Sequence, residues 1–99
     1  MEYLVLPGDQ PQSRVPLGDI FITTAASESL TQADISVAML RHSRGDWGAV
    51  CPEDWSSNEL SLTDGSRLLS VYHGTTGVKF WIITEADRSV TTVLLPADY

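Results

Sequence analysis

Three groups of side chains in this sequence have the types and spacing for chemistry. The first is Arg41-His42-Ser43-Arg44-Gly45-Asp46-Trp47-Gly48. Here a guanidinium of Arg41 or Arg44 can hold a phosphate or carboxylate while His42 moves a proton near neutral pH. The same string also reads as an ordinary last turn of a helix, its cations facing the dipole and Trp47 entering the core. The second is Thr84-Glu85-Ala86-Asp87-Arg88-Ser89, a tight turn in which Glu85 can act as a general base beside Arg88 as an anion clamp. A salt-bridged hairpin of little energetic weight would look the same. The third is a run of carboxylates, Asp46, Glu53, Asp54, Glu59 and Asp64, with no Lys or Arg among them. That run suits docking onto a basic partner, or simply a solvated face.

Other chemistries lack their residues. His42, Cys51 and His73 are scattered, with no paired cysteines and no HxxxH, so neither a metal site nor a cofactor is expected. No nucleophile elbow, dinucleotide fingerprint or Walker-type loop occurs. Gly74-Thr75-Thr76-Gly77 has the composition of a phosphate loop, but it joins two strand-like runs and reads as a hairpin turn. Trp47, Trp55 and Trp81 lack the basic neighbours of a base-stacking platform and are expected to pack. Thirteen acidic residues against six basic ones give a net charge of −7, which argues against a nucleic-acid grip through phosphates.

The elements that must position these groups fit one α+β domain. The 42% apolar content supports a real core, and no apolar run approaches the roughly 20 residues that span a bilayer. Without a basic, apolar leader, and with a single cysteine expected to be half-buried, the chain suits a reducing cytoplasm. Pro7, Gly8, Pro11 and Pro16 mark residues 1–16 as an N-terminal arm, leaving 17–99 as the domain. Leu17 to Thr23 can hold a short strand, and Ala25 to Leu30 one or two helical turns. Thr31 and Asp34 open a helix over 32–44, whose apolar face is Ile35, Ala38, Met39 and His42, and Gly45 closes it. Pro52 begins a second helix across Glu53 to Leu62, stopped by Asp64-Gly65. From residue 67 to 95 three strands alternate with turns, predicting a three-stranded antiparallel meander with two or three helices packed on one face.

The string Arg41-His42-x-x-Gly45-Asp46-Trp47-Gly48, with Asn58-Glu59-Leu60, Gly65-x-Arg67-Leu68-Leu69-Ser70-x-Tyr72 and Trp81-Ile82-Ile83-Thr84-Glu85-Ala86-Asp87-Arg88-Ser89, resembles a family of small proteins. Its members are carried on plasmids and integrative elements, and the likeness runs over roughly 17–99. They are called plasmid-related proteins or, by transfer, type I restriction endonuclease subunit M. No activity comes with the resemblance. A methyltransferase needs a cofactor pocket on a doubly wound sheet, and this chain has neither the length nor the glycine-rich loop. What the resemblance implies is company with restriction and defence genes.

Two functions therefore stand. One is a non-enzymatic acidic protein of a mobile element that inhibits a host defence or nucleic-acid-processing complex, as an anti-CRISPR or anti-restriction protein would. Its partner would present a basic groove, met by Asp46, Glu53, Asp54, Glu59 and Asp64, with no direct contact to nucleic acid or membrane. The other is a small ribonuclease or toxin, because helices followed by a meander are similar to the barnase and RelE class. Glu85, Arg88, His42, Arg67 and Lys79 would then gather around one point.

Overall fold

Asp34 closes a capping box with Thr31: its backbone N–H donates to the Thr31 hydroxyl at 3.0 Å and its carboxylate accepts the Thr31 N–H at 3.2 Å. The helix so started runs Gln32–Ser43 and ends where Gly45 takes φ 84°, the left-handed conformation a glycine adopts cheaply. The computed structural model describes residues 13–99. Over them the order is β1 (Asp19–Ile22), α1 (Thr24–Ser29), α2 (Gln32–Ser43), α3 (Pro52–Asp64), β2 (Leu68–His73), β3 (Lys79–Thr84) and β4 (Val90–Leu94), then a 3₁₀ turn Pro96–Asp98.

The antiparallel meander forms where the alternation places it. β2 pairs with β3 from Leu68↔Thr84 to His73↔Lys79, and β3 pairs with β4 from Trp81↔Leu94 to Thr84↔Thr91. The sheet nevertheless has four strands in the order β1-β4-β3-β2, not three, and it is mixed, because β1 lies parallel to β4. Nothing local announces that pairing. β1 and β4 are separated by the whole helical half of the chain, and every residue of β1 is exposed, so no buried stripe marks its face.

Two clusters make the core. Ala26 and Leu30 of the α1 region and Ala38 of α2 pack with Tyr72, Phe80, Ile82 and Val93 of the sheet, with Ile35 and Met39 half-buried against them. Val15, Trp47 and Leu68 form the second, joined by Leu17, Val50 and Leu62. Val15 is thus core, and the Arg14 N–H donates to the Ser43 carbonyl. Of the arm expected over 1–16, residues 1–12 lie outside the described residues.

β2 is an edge strand, and the chain closes that edge. The Asn58 side chain donates to the Leu69 carbonyl at 2.7 Å and accepts the Leu69 N–H at 3.1 Å, as a neighbouring strand would. One step along, the Val71 N–H donates to the Trp47 carbonyl and the Ala49 N–H to the Val71 carbonyl. Gly48 passes so close that an added Cβ would stand 2.0 Å from the Val71 oxygen. Through Asn58, α3 is fastened along the β2 edge.

Candidate functional site

His42 is where proton chemistry was expected, and the structure buries it completely. Its Nδ1 lies 2.6 Å from Ser70 Oγ and its Nε2 2.8 Å from Thr84 Oγ1. Thr84 Oγ1 lies 2.7 Å from Thr91 Oγ1, which donates to the Leu17 carbonyl at 2.7 Å. Each hydroxyl has one proton, so the roles are forced. Thr91 spends its proton on Leu17, Thr84 must then donate to Thr91, and Thr84 can only accept from Nε2–H. Nδ1 is therefore bare and accepts from Ser70. Burial, with the Arg88 charge nearby, pushes the imidazole pKa down to about 4. The chain of bonds ends on the half-buried Leu17 carbonyl, and it fixes the ring between α2 and the sheet.

The other members of the ribonuclease set are placed apart or occupied. Arg88 sits at φ 63°, and its guanidinium donates to four carbonyls: Ser66 at 2.7 Å, Ser61 at 2.9 Å, Glu85 at 3.2 Å and Ala86 at 3.3 Å. It locks the β3–β4 turn onto the end of α3. Arg67 donates to the Tyr99 hydroxyl at 2.9 Å and lies over that ring. Glu85, Arg88 and Arg67 share one end of the sheet. Lys79 begins β3 at the opposite end, about 20 Å away by the rise of a strand. The five residues do not surround one point.

The carboxylate run divides. Asp46 accepts from Arg41 at 2.8 Å and from the Gly48 N–H at 3.1 Å, and these partners hold its pKa below the ordinary value. Glu59 accepts from Arg14 at 2.6 Å and from the Trp47 indole at 2.9 Å, with its pKa likewise lowered, chiefly by Arg14. A face without basic partners, as the sequence suggests, is therefore corrected: Arg14 and Arg41 fold onto two of the five. The sequence concealed this because Arg14 lies 45 residues from Glu59. Asp64 caps the Ser66 N–H at 2.9 Å, and Glu53 and Asp54 stand exposed in the first turn of α3, where negative charge suits the dipole.

What sequence reasoning missed is apolar. On α3, Leu60 is 65% exposed. Helical spacing puts it on one outward face with Glu53, Ser57 and Asp64. Cys51, expected half-buried, is exposed at the N-cap of this helix and makes no side-chain cap bond. Among the described residues no group of three or more His, Cys, Asp or Glu could hold a metal, and no helix is long and apolar enough to cross a membrane. The chain matches no family model, and no curated protein and no solved structure matches it significantly.

Proposed function

We propose that this chain is a non-enzymatic acidic interaction protein that docks through the outward face of α3 into a basic groove of a nucleic-acid-processing complex. The observation that carries the reading is the composition of that face: an exposed leucine, Leu60, between Glu53 and Asp64, on a helix that contains no Lys or Arg. An apolar anchor ringed by carboxylates offers a groove built for phosphates both neutralising charge and a surface to desolvate. Asp54 extends the charge to the start of the helix. Asp46 and Glu59 serve the fold through Arg41, Arg14 and Trp47, and their place in the interface is the rim.

The arrangement of basic residues supports the same reading. Arg14 and Arg41 are engaged with carboxylates, Arg67 with Tyr99 and Arg88 with backbone carbonyls, which leaves little to grip a phosphate. The resemblance to proteins of plasmids and integrative elements points the reading to a host defence complex, and the outcome of docking to inhibition. The test is capture of a partner at low salt followed by cross-linking and peptide mapping. The reading expects cross-links between α3 and a Lys/Arg-lined groove. Cross-links elsewhere, or capture unaffected by ionic strength, would count against it.

A further inference from the structure

The two edges of the sheet are treated oppositely. The β2 edge is closed by Asn58 and by the Trp47–Ala49 backbone, whereas β1 has no neighbour on its outer side among the described residues. Asp19 N–H donates to the Ser89 carbonyl and Thr23 N–H to that of Val93, so alternate residues of β1 face β4. The N–H and C=O groups of Ile20 and Ile22 therefore point outward. Their side chains stand on the helix side of the sheet, in register with Thr91 and Val93. Such an edge is usually covered or charged, yet Ile20, Phe21 and Ile22 are all exposed. Beside it an apolar cleft of about 440 Å³ lies between β1 and α2, walled by Leu17, Ile20, Ile35, Met39 and Leu40. A second hollow shares Leu17 and Leu40 with this cleft and continues it to Ser13. No ionisable side chain lines either one.

Chain length, composition and the point of entry name the occupant. The chain enters the described region at Ser13, in the wall of this groove, with twelve residues before it. Those twelve hold an uncharged apolar run, Tyr3-Leu4-Val5-Leu6, followed by Pro7-Gly8. Gly18, next to the start of β1, lines the same hollow as Ser13. Pro7 to Gln12 can span up to about 20 Å, enough to return the run from Ser13 to that point. We infer that Leu4–Leu6 covers the open edge as an outer strand, paired antiparallel with β1 of the same chain. The register follows from the groups that face outward. Leu6 opposite Ile20 and Leu4 opposite Ile22 set both leucines on the cleft side, and each pair exchanges two hydrogen bonds. Pro7, which has no N–H, then falls opposite Asp19, whose backbone groups are turned to β4, and it holds Leu6 extended. Val5 meets Phe21 on the other face. The tether gives the run an effective concentration on the order of millimolar, which lets so short a strand hold.

The experiment is amide hydrogen exchange of the full chain, read residue by residue by NMR at several protein concentrations. Leu4, Leu6, Ile20 and Ile22 exchange about tenfold or more slowly than Val5, whose N–H faces solvent, and concentration changes nothing. Leu4→Pro removes the donor to Ile22, and Leu4→Asp sets a charge in the apolar cleft. Each raises exchange at Ile20 and Ile22 by about tenfold or more. Val5→Pro removes only an outward N–H and leaves that protection in place. Ile82, in the buried centre of the sheet, keeps its protection in every variant, which separates loss of the outer strand from loss of the fold. Unprotected Ile20 and Ile22 in the full chain overturn the inference. So does protection that survives Leu4→Pro, or that Val5→Pro abolishes as fully as Leu4→Pro. Protection that grows with concentration also overturns it, because a second copy would then be covering the edge.

Discussion

Asn58 stands in for a fifth strand. Its amide makes both of the bonds that Leu69 would otherwise offer outward, at 2.7 and 3.1 Å, from a position only 5% exposed. With the Arg88–Ser61 bond and the packing of Leu62 beside Leu68, this contact ties α3 to the sheet and sets the direction in which Glu53, Leu60 and Asp64 face.

Asn58→Ala strands a donor and an acceptor where water reaches poorly, and a buried unsatisfied group costs about 1–3 kcal/mol. The expected loss is about 2–4 kcal/mol in denaturant unfolding, with faster amide exchange at Leu69. Asn58→Asp keeps the acceptor for the N–H but sets a charge against the Leu69 carbonyl, so it should recover little. A change below about 0.5 kcal/mol in Asn58→Ala would mean that α3 is held by its other contacts, the Arg88–Ser61 and Trp47–Glu59 bonds among them.

His42 sets a pH dependence with a definite sign. Its folded pKa of about 4 lies below the ordinary 6.5, so the unfolded chain takes up the proton first. The contribution is complete above pH 6.5 and is lost as pH falls toward 4, amounting to about 3 kcal/mol over the window. His42→Gln should be less stable at pH 7 but show a flatter profile between 6.5 and 4. The lowered carboxylates, Asp34, Asp46, Glu59, Asp87 and Asp98, act below that window, since their stabilisation is lost as pH falls through their depressed folded values. Unfolding midpoints collected every half pH unit separate the two phases.

Much of the frame could be read from local signals. Thr31 with Asp34, Pro52 at the first position of α3, and the glycines at 45 and 65 punctuate the helices where the structure ends and begins them. β2, β3 and β4 follow the alternation, and the turn from Gly74 to Gly77 is a hairpin. The parallel β1–β4 pairing was not legible, because β1 is exposed on all four residues and its register is set by a partner about 70 residues away. Roles were legible only as alternatives. The imidazole on the α2 core face could equally be packing, and only the hydroxyls of Ser70, Thr84 and Thr91 decide it. The pairing of Glu59 with Arg14 and of Asp46 with Arg41 likewise required the fold.

Arg88 is a structural clamp in this account. Arg88→Lys keeps the charge but loses the fork that reaches Ser61 and Ser66 together, so stability should fall by about 1–3 kcal/mol. Purified wild-type protein should leave single-stranded RNA intact, and Glu85→Gln should change nothing in that assay. Cleavage by wild type that Glu85→Gln abolishes would restore the ribonuclease reading.

Gly48→Ala tests the closure of the β2 edge by the Trp47–Ala49 backbone. The added methyl meets the Val71 oxygen at a φ of 76° that side chains rarely adopt. The loop must leave the strand, and the expected cost is about 2 kcal/mol or more, read by thermal unfolding. Trp47 fluorescence should shift to the red as the indole loses its buried site.

We propose that α3 docks a basic groove through Glu53, Asp54 and Leu60. The most direct measurement is the affinity of the captured partner for wild type and for Glu53→Lys/Asp54→Lys, at about 50 and 300 mM salt, with circular dichroism confirming the fold. Reversal at an exposed first turn costs about 0.3–1 kcal/mol per site through the helix dipole, which leaves the domain folded. Wild-type binding should weaken as salt rises, and the double variant should lose about tenfold or more at low salt, mainly through slower association. Equal affinity of the folded variant and wild type at low salt would contradict it.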